Sequence, residues 1–210
     1  MISHKHKFIF VEFPKTGTTT IGSVLGKYSD VKRNHKKDSL YRKHAPPSTI
    51  KQLFEKENKK DEWKNYFKFT FTRNPWDRML SLWSFIAISL ERHKNGTLKN
   101  IEWINSCIME CKTFKEYIKL TADWPGVNNS LFHFAFDKDE KFVDFIGKFE
   151  NLQEDFDTIC DKIGIPRQQL PHKNKTKHKH YTEYYDDETR EIVAQKYAKD
   201  IEYFGYKFEI

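Results

Sequence analysis

Apolar positions fall into one arrangement that occurs twice. FIFVEF, residues 8–13, is a short β-prone run that stops at Pro14. After the small-residue stretch KTGTTT, the segment IGSVLGKY sets Ile21, Val24, Leu25 and Tyr28 on one face of a helix. The order returns at YFKFTFT, residues 66–72, where large residues alternate with polar or small ones as a strand requires. This run ends at Arg73-Asn74; Pro75 suits the first turn of a helix and Asn74 its cap. The helix PWDRMLSLWSFIAISLERH is nearly uncharged from Met79 to Leu90, which predicts burial around most of its circumference. Two strand–loop–helix units in one small chain predict an α/β domain, with helices layered on a central, mainly parallel sheet.

The remaining segments read less regularly. Residues 29–65 are basic and contain KRNHKKDSLYRKH and Pro46-Pro47, before a short helix, STIKQLFEKE, with Ser48 as its cap. Residues 100–130 are predicted helical with a break around WPGVNN, and 131–146 as two strands joined by DKDE. LQEDFDTICDKIGI is an amphipathic helix carrying Leu152, Phe156, Ile159 and Ile163 and closed by Gly164. A basic loop, LPHKNKTKHKHY, leads to a last helix, DDETREIVAQKYAKDIEYF, whose early acids suit the helix dipole. There is no internal repeat and no dividing linker, so the 210 residues are expected to form a single domain, 1–210.

Composition narrows the partners. Hydrophobic residues are 38% and charged residues 32%, but 18 Phe, 10 Tyr and 5 Trp provide a core, which excludes wholesale disorder. Lys plus Arg number 37 against 30 Asp plus Glu, and the resulting +7 favours anionic ligands without choosing among them. No apolar run approaches the ~18 residues of a membrane span, and the start lacks a leader pattern, so the expectation is a soluble, cytoplasmic protein. Three cysteines without a Cys-x-x-Cys pair argue against a disulfide framework or zinc knuckle; Cys107 and Cys111, one helical turn apart, are read as buried thiols.

Two loops carry candidate chemistry. In PKTGTTT, residues 14–20, backbone N–H groups at the positive end of a helix can receive an anion. Lys15 adds a full charge, Gly17 allows close backbone approach, and Thr16, Thr18, Thr19 and Thr20 add hydroxyls. The triphosphate loop Gly-x-x-x-x-Gly-Lys-Ser/Thr matches only at Lys15-Thr16, with Pro14 and Ile9 at its glycine positions. In FTFTRNPWDRMLSLW, residues 69–83, Arg73 projects from a strand end, where open α/β sheets bind ligands, and Ser81 follows about two helical turns later. An arginine fork with a hydroxyl suits a phosphate. Two such loops imply a ligand with two separate anionic groups, and no metal is evident to bridge them.

These residues resemble the sulfotransferases that use 3′-phosphoadenosine-5′-phosphosulfate (PAPS), in their carbohydrate (heparan 2-O-like) branch and its bacterial relatives. PKTGTTT is similar to the family's 5′-phosphosulfate loop and TRNPWDRMLSLW to its 3′-phosphate segment; GKFENLQEDF, LPHKNKT and YYDDETREIVAQKYAKDIEYFGYKF extend the likeness over most of the chain. The resemblance implies a three-layer, P-loop-like sulfotransferase fold. It assigns Lys15 and Thr16–Thr20 to the 5′-phosphosulfate, and Arg73 and Ser81 to the 3′-phosphate. It likens the loop with Lys173, Lys175 and Thr176 to a segment closing over the nucleotide. Lys148 stands in a stretch where relatives usually carry arginine before Phe149-Glu150-Asn151, and a lysine has no bidentate fork.

Sulfuryl transfer to a hydroxyl needs a base for the proton, a role suited to imidazole. His44, in YRKHAPPS between the two loops, occupies the interval where the resembling branch carries its catalytic histidine. The implied reaction is in-line transfer from PAPS to an acceptor hydroxyl, on a carbohydrate, leaving adenosine 3′,5′-bisphosphate, with Lys15 and His44 catalytic and no metal required. His172, His178 and His180 are interleaved with lysines rather than acids and read as an anion-facing loop. YFKFTF lacks the Gly-Phe spacing of RNA-binding strands, so nucleic acid is not expected as a partner. Two other classes stay open from the residues alone: an ATP- and magnesium-dependent phosphotransferase, and a non-catalytic basic module for acidic glycan or nucleic acid.

Overall fold

The computed structural model describes residues 1–31, 40–123, 130–137, 140–171 and 179–209. In chain order they form β1 (Ile2–Ser3), β2 (Phe8–Phe10), α1 (Thr18–Leu25), α2 (Pro47–Lys56), α3 (Lys60–Asn65) and β3 (Phe67–Thr72). Then come α4 (Pro75–Lys94), α5 (Ser106–Glu110), α6 (Phe114–Thr121), α7 (Leu131–Ala135), β4 (Phe136–Asp137) and β5 (Glu140–Lys141). β6 (Phe145–Lys148), α8 (Leu152–Ile163), α9 (Asp187–Lys196) and α10 (Ala198–Phe204) complete the series. The chain divides into two compact units, Met1–Arg73 with Leu131–Asn174, and Asn74–Ser130 with Lys175–Ile210.

The first unit is built on a four-stranded sheet of order β1-β2-β3-β6. β2, β3 and β6 run parallel and β1 is antiparallel at the edge, so the mainly parallel α/β architecture read from the sequence is the one found. Alternation along the strands sends Phe8, Phe10, Phe69 and Phe71 to one face, where they meet Ile21 and Leu25 of α1 and Phe156, Ile159 and Ile163 of α8. Ile2, Ile9 and Val11 go to the other, against Ile50 and Phe54 of α2 and Trp63 of α3. Helices therefore cover both faces, and the parallel strands end together at the loops that follow Phe10, Thr72 and Lys148. β6 crosses Phe71 so closely that a Cβ on Gly147 would stand 2.5 Å from Phe71 Cε1 and 3.1 Å from Asp155 Cβ. Gly147→Ala is expected to cost about 1–3 kcal/mol, seen as a lower denaturant midpoint with unchanged slope. An unmoved midpoint would mean that Phe71 has room to give way.

The second unit packs α4, α6 and α9 around Trp76, Met79, Leu80, Tyr117, Val193 and Tyr197. Asn74 caps α4 as expected: its side chain accepts from the Trp76 N–H at 3.1 Å. Arg78 is buried on this helix with its guanidinium 4.9 Å from the centre of the Tyr197 ring. Among the described residues no helix is long and apolar enough to cross a membrane.

Several local readings are corrected. α1 begins at Thr18, three residues before the apolar stripe, because left-handed Gly17 already turns the chain into it. α2 starts at Pro47, and Ser48 lies inside its first turn with no side-chain cap bond present. Residues 131–135 are helical rather than extended; 136–137 and 140–141 pair as a short antiparallel hairpin, and Phe145 and Ile146 belong to β6. The last helix is interrupted at Tyr197, whose ring is wholly buried. Between Met79 and Leu90, α4 leaves Phe85, Ala87 and Ile88 exposed, and the other positions are buried or half-buried, in keeping with burial of most of its circumference. Cys107 is exposed and Cys111 half-buried, because α5 lies at the surface; Cys160 alone of the three is buried. The segments 32–39 and 124–129 and most of the basic loop, 172–178, lie outside the described residues.

Candidate functional site

The loop after β2 is shaped by two residues with left-handed backbone, Lys15 at φ 68° and Gly17 at φ 80°. Alternating conformations of this kind turn successive N–H groups toward one concavity. The Ile21 N–H donates to the Gly17 carbonyl at 3.0 Å, so the N–H groups of Thr18, Thr19 and Thr20 precede the first intrahelical bond of α1. Gly17 has a second reason to be glycine: a Cβ there would sit 3.3 Å from both Phe149 and Leu152. The Thr16 hydroxyl, fully buried, donates to the Phe13 carbonyl at 2.9 Å and holds the turn from inside. Thr18 and Thr20 are buried, and Thr19 is exposed.

Arg73, at the end of β3, reaches this loop within the first unit. Its Nη1 donates to the Lys15 carbonyl at 3.2 Å, and its guanidinium lies 4.1 Å from the centre of the Phe149 ring. Phe149 therefore supports both Arg73 and the backbone at Gly17. Burial, and then the positive charges of Arg73 and Lys43, lower the Lys15 ammonium to about 8. Lys15, Lys43 and Arg73 thus gather positive charge at this loop, which favours an anionic ligand.

His44 is held beside the same strand end. Its backbone is left-handed, φ 61°, and its Nδ1 lies 2.8 Å from the Glu12 carbonyl oxygen. A carbonyl can only accept, so Nδ1 carries a proton, and whenever the ring is neutral its lone pair is on Nε2. Among the described residues, four non-glycine positions have positive φ; Lys7 and Asn58 lie in simple turns, while Lys15 and His44 are the two chemical candidates.

The other expected site residues are distributed differently. Ser81 belongs to the second unit, buried on α4. Lys173, Lys175 and Thr176, with His172 and His178, fall outside the described residues. The Nδ1 of His180 pairs with the Thr182 hydroxyl at 2.9 Å. Among the described residues no group of three or more His, Cys, Asp or Glu is arranged to hold a metal ion. The backbone N–H of Lys148 donates to Asp155 at 2.6 Å. Two contributors were missed in the sequence, Phe149 and the Glu12 carbonyl. Phe149 lies in the stretch GKFENLQEDF that carries part of the family resemblance, and nothing local marks the Glu12 carbonyl.

A mainly parallel sheet with a lysine-bearing loop between strand and helix is the frame on which α/β proteins hold phosphorylated ligands. Residues 1–207 match the family model described as the sulfotransferase family, and the chain belongs to that family. It is similar to carbohydrate sulfotransferase 14 of Danio rerio, at 23% identity over a 243-residue alignment covering 98% of this chain and 61% of the relative. Carbohydrate sulfotransferase 9 of Homo sapiens is 23% identical over 227 residues, covering 95% of this chain and 47% of its own length. An uncharacterized protein of Archaeoglobus fulgidus is 28% identical over 103 residues, covering 49% of this chain and 72% of its own. The chain thus spans less than two thirds of either carbohydrate sulfotransferase.

Proposed function

We propose that this chain transfers a sulfuryl group from PAPS to an acceptor hydroxyl on a carbohydrate. The observation that carries the reading is the bond from His44 Nδ1 to the Glu12 carbonyl, which ties an imidazole of the required tautomer to the backbone three residues before Lys15. The donor fits the residues present: a loop turned by left-handed Lys15 and Gly17, a helix N-terminus, and two cations, Lys15 and Arg73. PAPS supplies the sulfuryl group and brings two anionic ends, a 5′-phosphosulfate and a 3′-phosphate. Lys15 and the N–H groups of residues 16–20 bind the first end and stabilise charge that gathers on the leaving oxygen. His44 Nε2 takes the proton of the acceptor hydroxyl. Arg73 binds the 3′-phosphate by charge-assisted hydrogen bonds. The parts given to Ser81 and to Lys173, Lys175 and Thr176 rest on the sequence resemblance. The two units are read as one catalytic domain because the family match runs through both. The carbohydrate acceptor is supported by the names of two relatives and by the chain's surplus of positive charge.

The test is incubation with radiolabelled PAPS and a panel of glycans and phenols. Label on a glycan supports the reading; label on phenols alone, or on nothing, overturns it. Arg73→Ala is expected to weaken adenosine 3′,5′-bisphosphate binding roughly 10- to 100-fold in calorimetry, the range for losing hydrogen bonds to a charged group. Unchanged affinity would remove Arg73 from the site.

A further inference from the structure

β6 delivers Phe149 to the end of the sheet where the Lys15 loop and Arg73 meet, all within the first unit. The chain on either side fixes its position. The Lys148 N–H, one residue before it, donates to Asp155 of α8 at 2.6 Å, and Phe149–Asn151 is a 3₁₀ turn that runs directly into that helix. The half-buried ring is shared between two neighbours. Its Cδ2 would stand 3.3 Å from a Cβ on Gly17, and the Arg73 guanidinium lies 4.1 Å from its centre. Arg73 Nη1 in turn donates to the Lys15 carbonyl at 3.2 Å. These contacts close a circuit: Phe149 to Gly17, along the chain to Lys15, across to Arg73, and back to Phe149.

We propose that Phe149 is a positioning residue that fixes Arg73 against the Lys15 loop and thereby sets the protein's preference for a nucleotide carrying a 3′-phosphate. An arginine at a strand end has a long, rotamer-rich side chain, and ordering it when the ligand arrives would weaken binding. A ring face orders it beforehand. Stacking is electrostatic attraction to the π-system, so it holds the guanidinium without occupying any of its five N–H donors, which a phosphate needs. The same ring touches the loop at Gly17, so the cation assigned to one end of the donor and the loop assigned to the other are held at a fixed spacing before binding. After burial, Arg73 is the strongest influence lowering the Lys15 ammonium, ahead of Lys43 from the segment before α2. The titration of Lys15 therefore reports where Arg73 stands. The inference rests on the donor proposed above for the identity of the nucleotide, and one of its tests needs no ligand.

Phe149→Leu keeps an apolar side chain beside Gly17 and removes the ring face, whereas Phe149→Tyr keeps both. Calorimetry then compares adenosine 3′,5′-bisphosphate with adenosine 5′-phosphate. The leucine variant should bind the bisphosphate about 3- to 30-fold more weakly and the monophosphate as the wild type does, and the tyrosine variant should bind both normally. In an Arg73→Ala background, Phe149→Leu should cost nothing further. Equal losses for the two nucleotides, or the same loss with and without Arg73, would reduce Phe149 to general packing and overturn the proposal. The second measurement follows Lys15 by NMR of ¹³C-methylated lysines without ligand, its signal assigned through Lys15→Arg. The midpoint should rise from about 8 in both Phe149→Leu and Arg73→Ala and stay in place in Phe149→Tyr. A midpoint that rises in Arg73→Ala but not in Phe149→Leu would show that Arg73 keeps its place without the ring, which also overturns the proposal. A wild type that binds neither nucleotide would refute the proposed donor and the preference with it, while the titration still decides whether Phe149 positions Arg73.

Discussion

Lys15→Ala is expected to lower sulfuryl transfer by on the order of a hundredfold or more while leaving a folded protein, because the charge facing the leaving oxygen is gone. The pH profile gives this prediction a second, sharper form. Burial, Arg73 and Lys43 bring the Lys15 ammonium down to about 8, so in the free protein it is cationic below that pH and neutral above it. Transfer efficiency, kcat/KM, should therefore fall as pH rises through about 8, whereas an ordinary lysine would hold its charge to ~10. A bound phosphosulfate favours the charged form, so the same limb in kcat should lie at higher pH. Lys15→Arg should erase the limb, since a guanidinium does not lose its proton in this range. Stability moves the opposite way. Between pH 8 and the unfolded value near 10 the unfolded chain binds the extra proton, so the Lys15 contribution to unfolding free energy increases with pH across that window and is at its least favourable below it. Activity that falls where stability rises, with both trends absent in Lys15→Ala, identifies this one group. An alkaline limb that persists unchanged in Lys15→Arg would assign it elsewhere.

What the sequence disclosed followed from how local each cause is. The two strand–loop–helix units were legible because a β-prone run, a proline or glycine and an amphipathic stretch lie side by side, as in Phe8–Leu25 and Phe67–Lys94. The helix over Leu131–Ala135 was not, since five uncharged residues are too few for periodicity to separate helix from strand; burial of Leu131 and Ala135, four apart, decides it in the folded chain. Tertiary causes left the faintest traces. Gly17 could be read as a turn glycine, but its contact with Phe149 closes a loop of more than a hundred residues. The lowered Lys15 value likewise depends on Arg73 arriving from β3. The uncharged run of α4 implied burial around most of its circumference, and which positions are left to water, Phe85, Ala87 and Ile88, is decided by packing that the sequence does not display.

His44→Ala should reduce turnover by roughly 10²- to 10⁴-fold, the usual worth of a positioned base, with adenosine 3′,5′-bisphosphate affinity unchanged. The difficulty is that His44 is also an anchor, since its ring holds the Glu12 carbonyl and its backbone sits at φ 61°. Alanine removes both functions and tolerates that backbone poorly. Asparagine separates them: it accepts positive φ more readily than most residues, and its amide nitrogen takes the place of Nδ1 as donor to Glu12, but it cannot accept a proton at neutral pH. His44→Asn should therefore melt close to the wild type and bind the nucleotide normally, yet turn over as slowly as His44→Ala, and added imidazole should restore part of the rate in the alanine variant. Near-normal turnover in His44→Asn would make the ring a structural pin, and the base would have to be sought on the acceptor side of the loop.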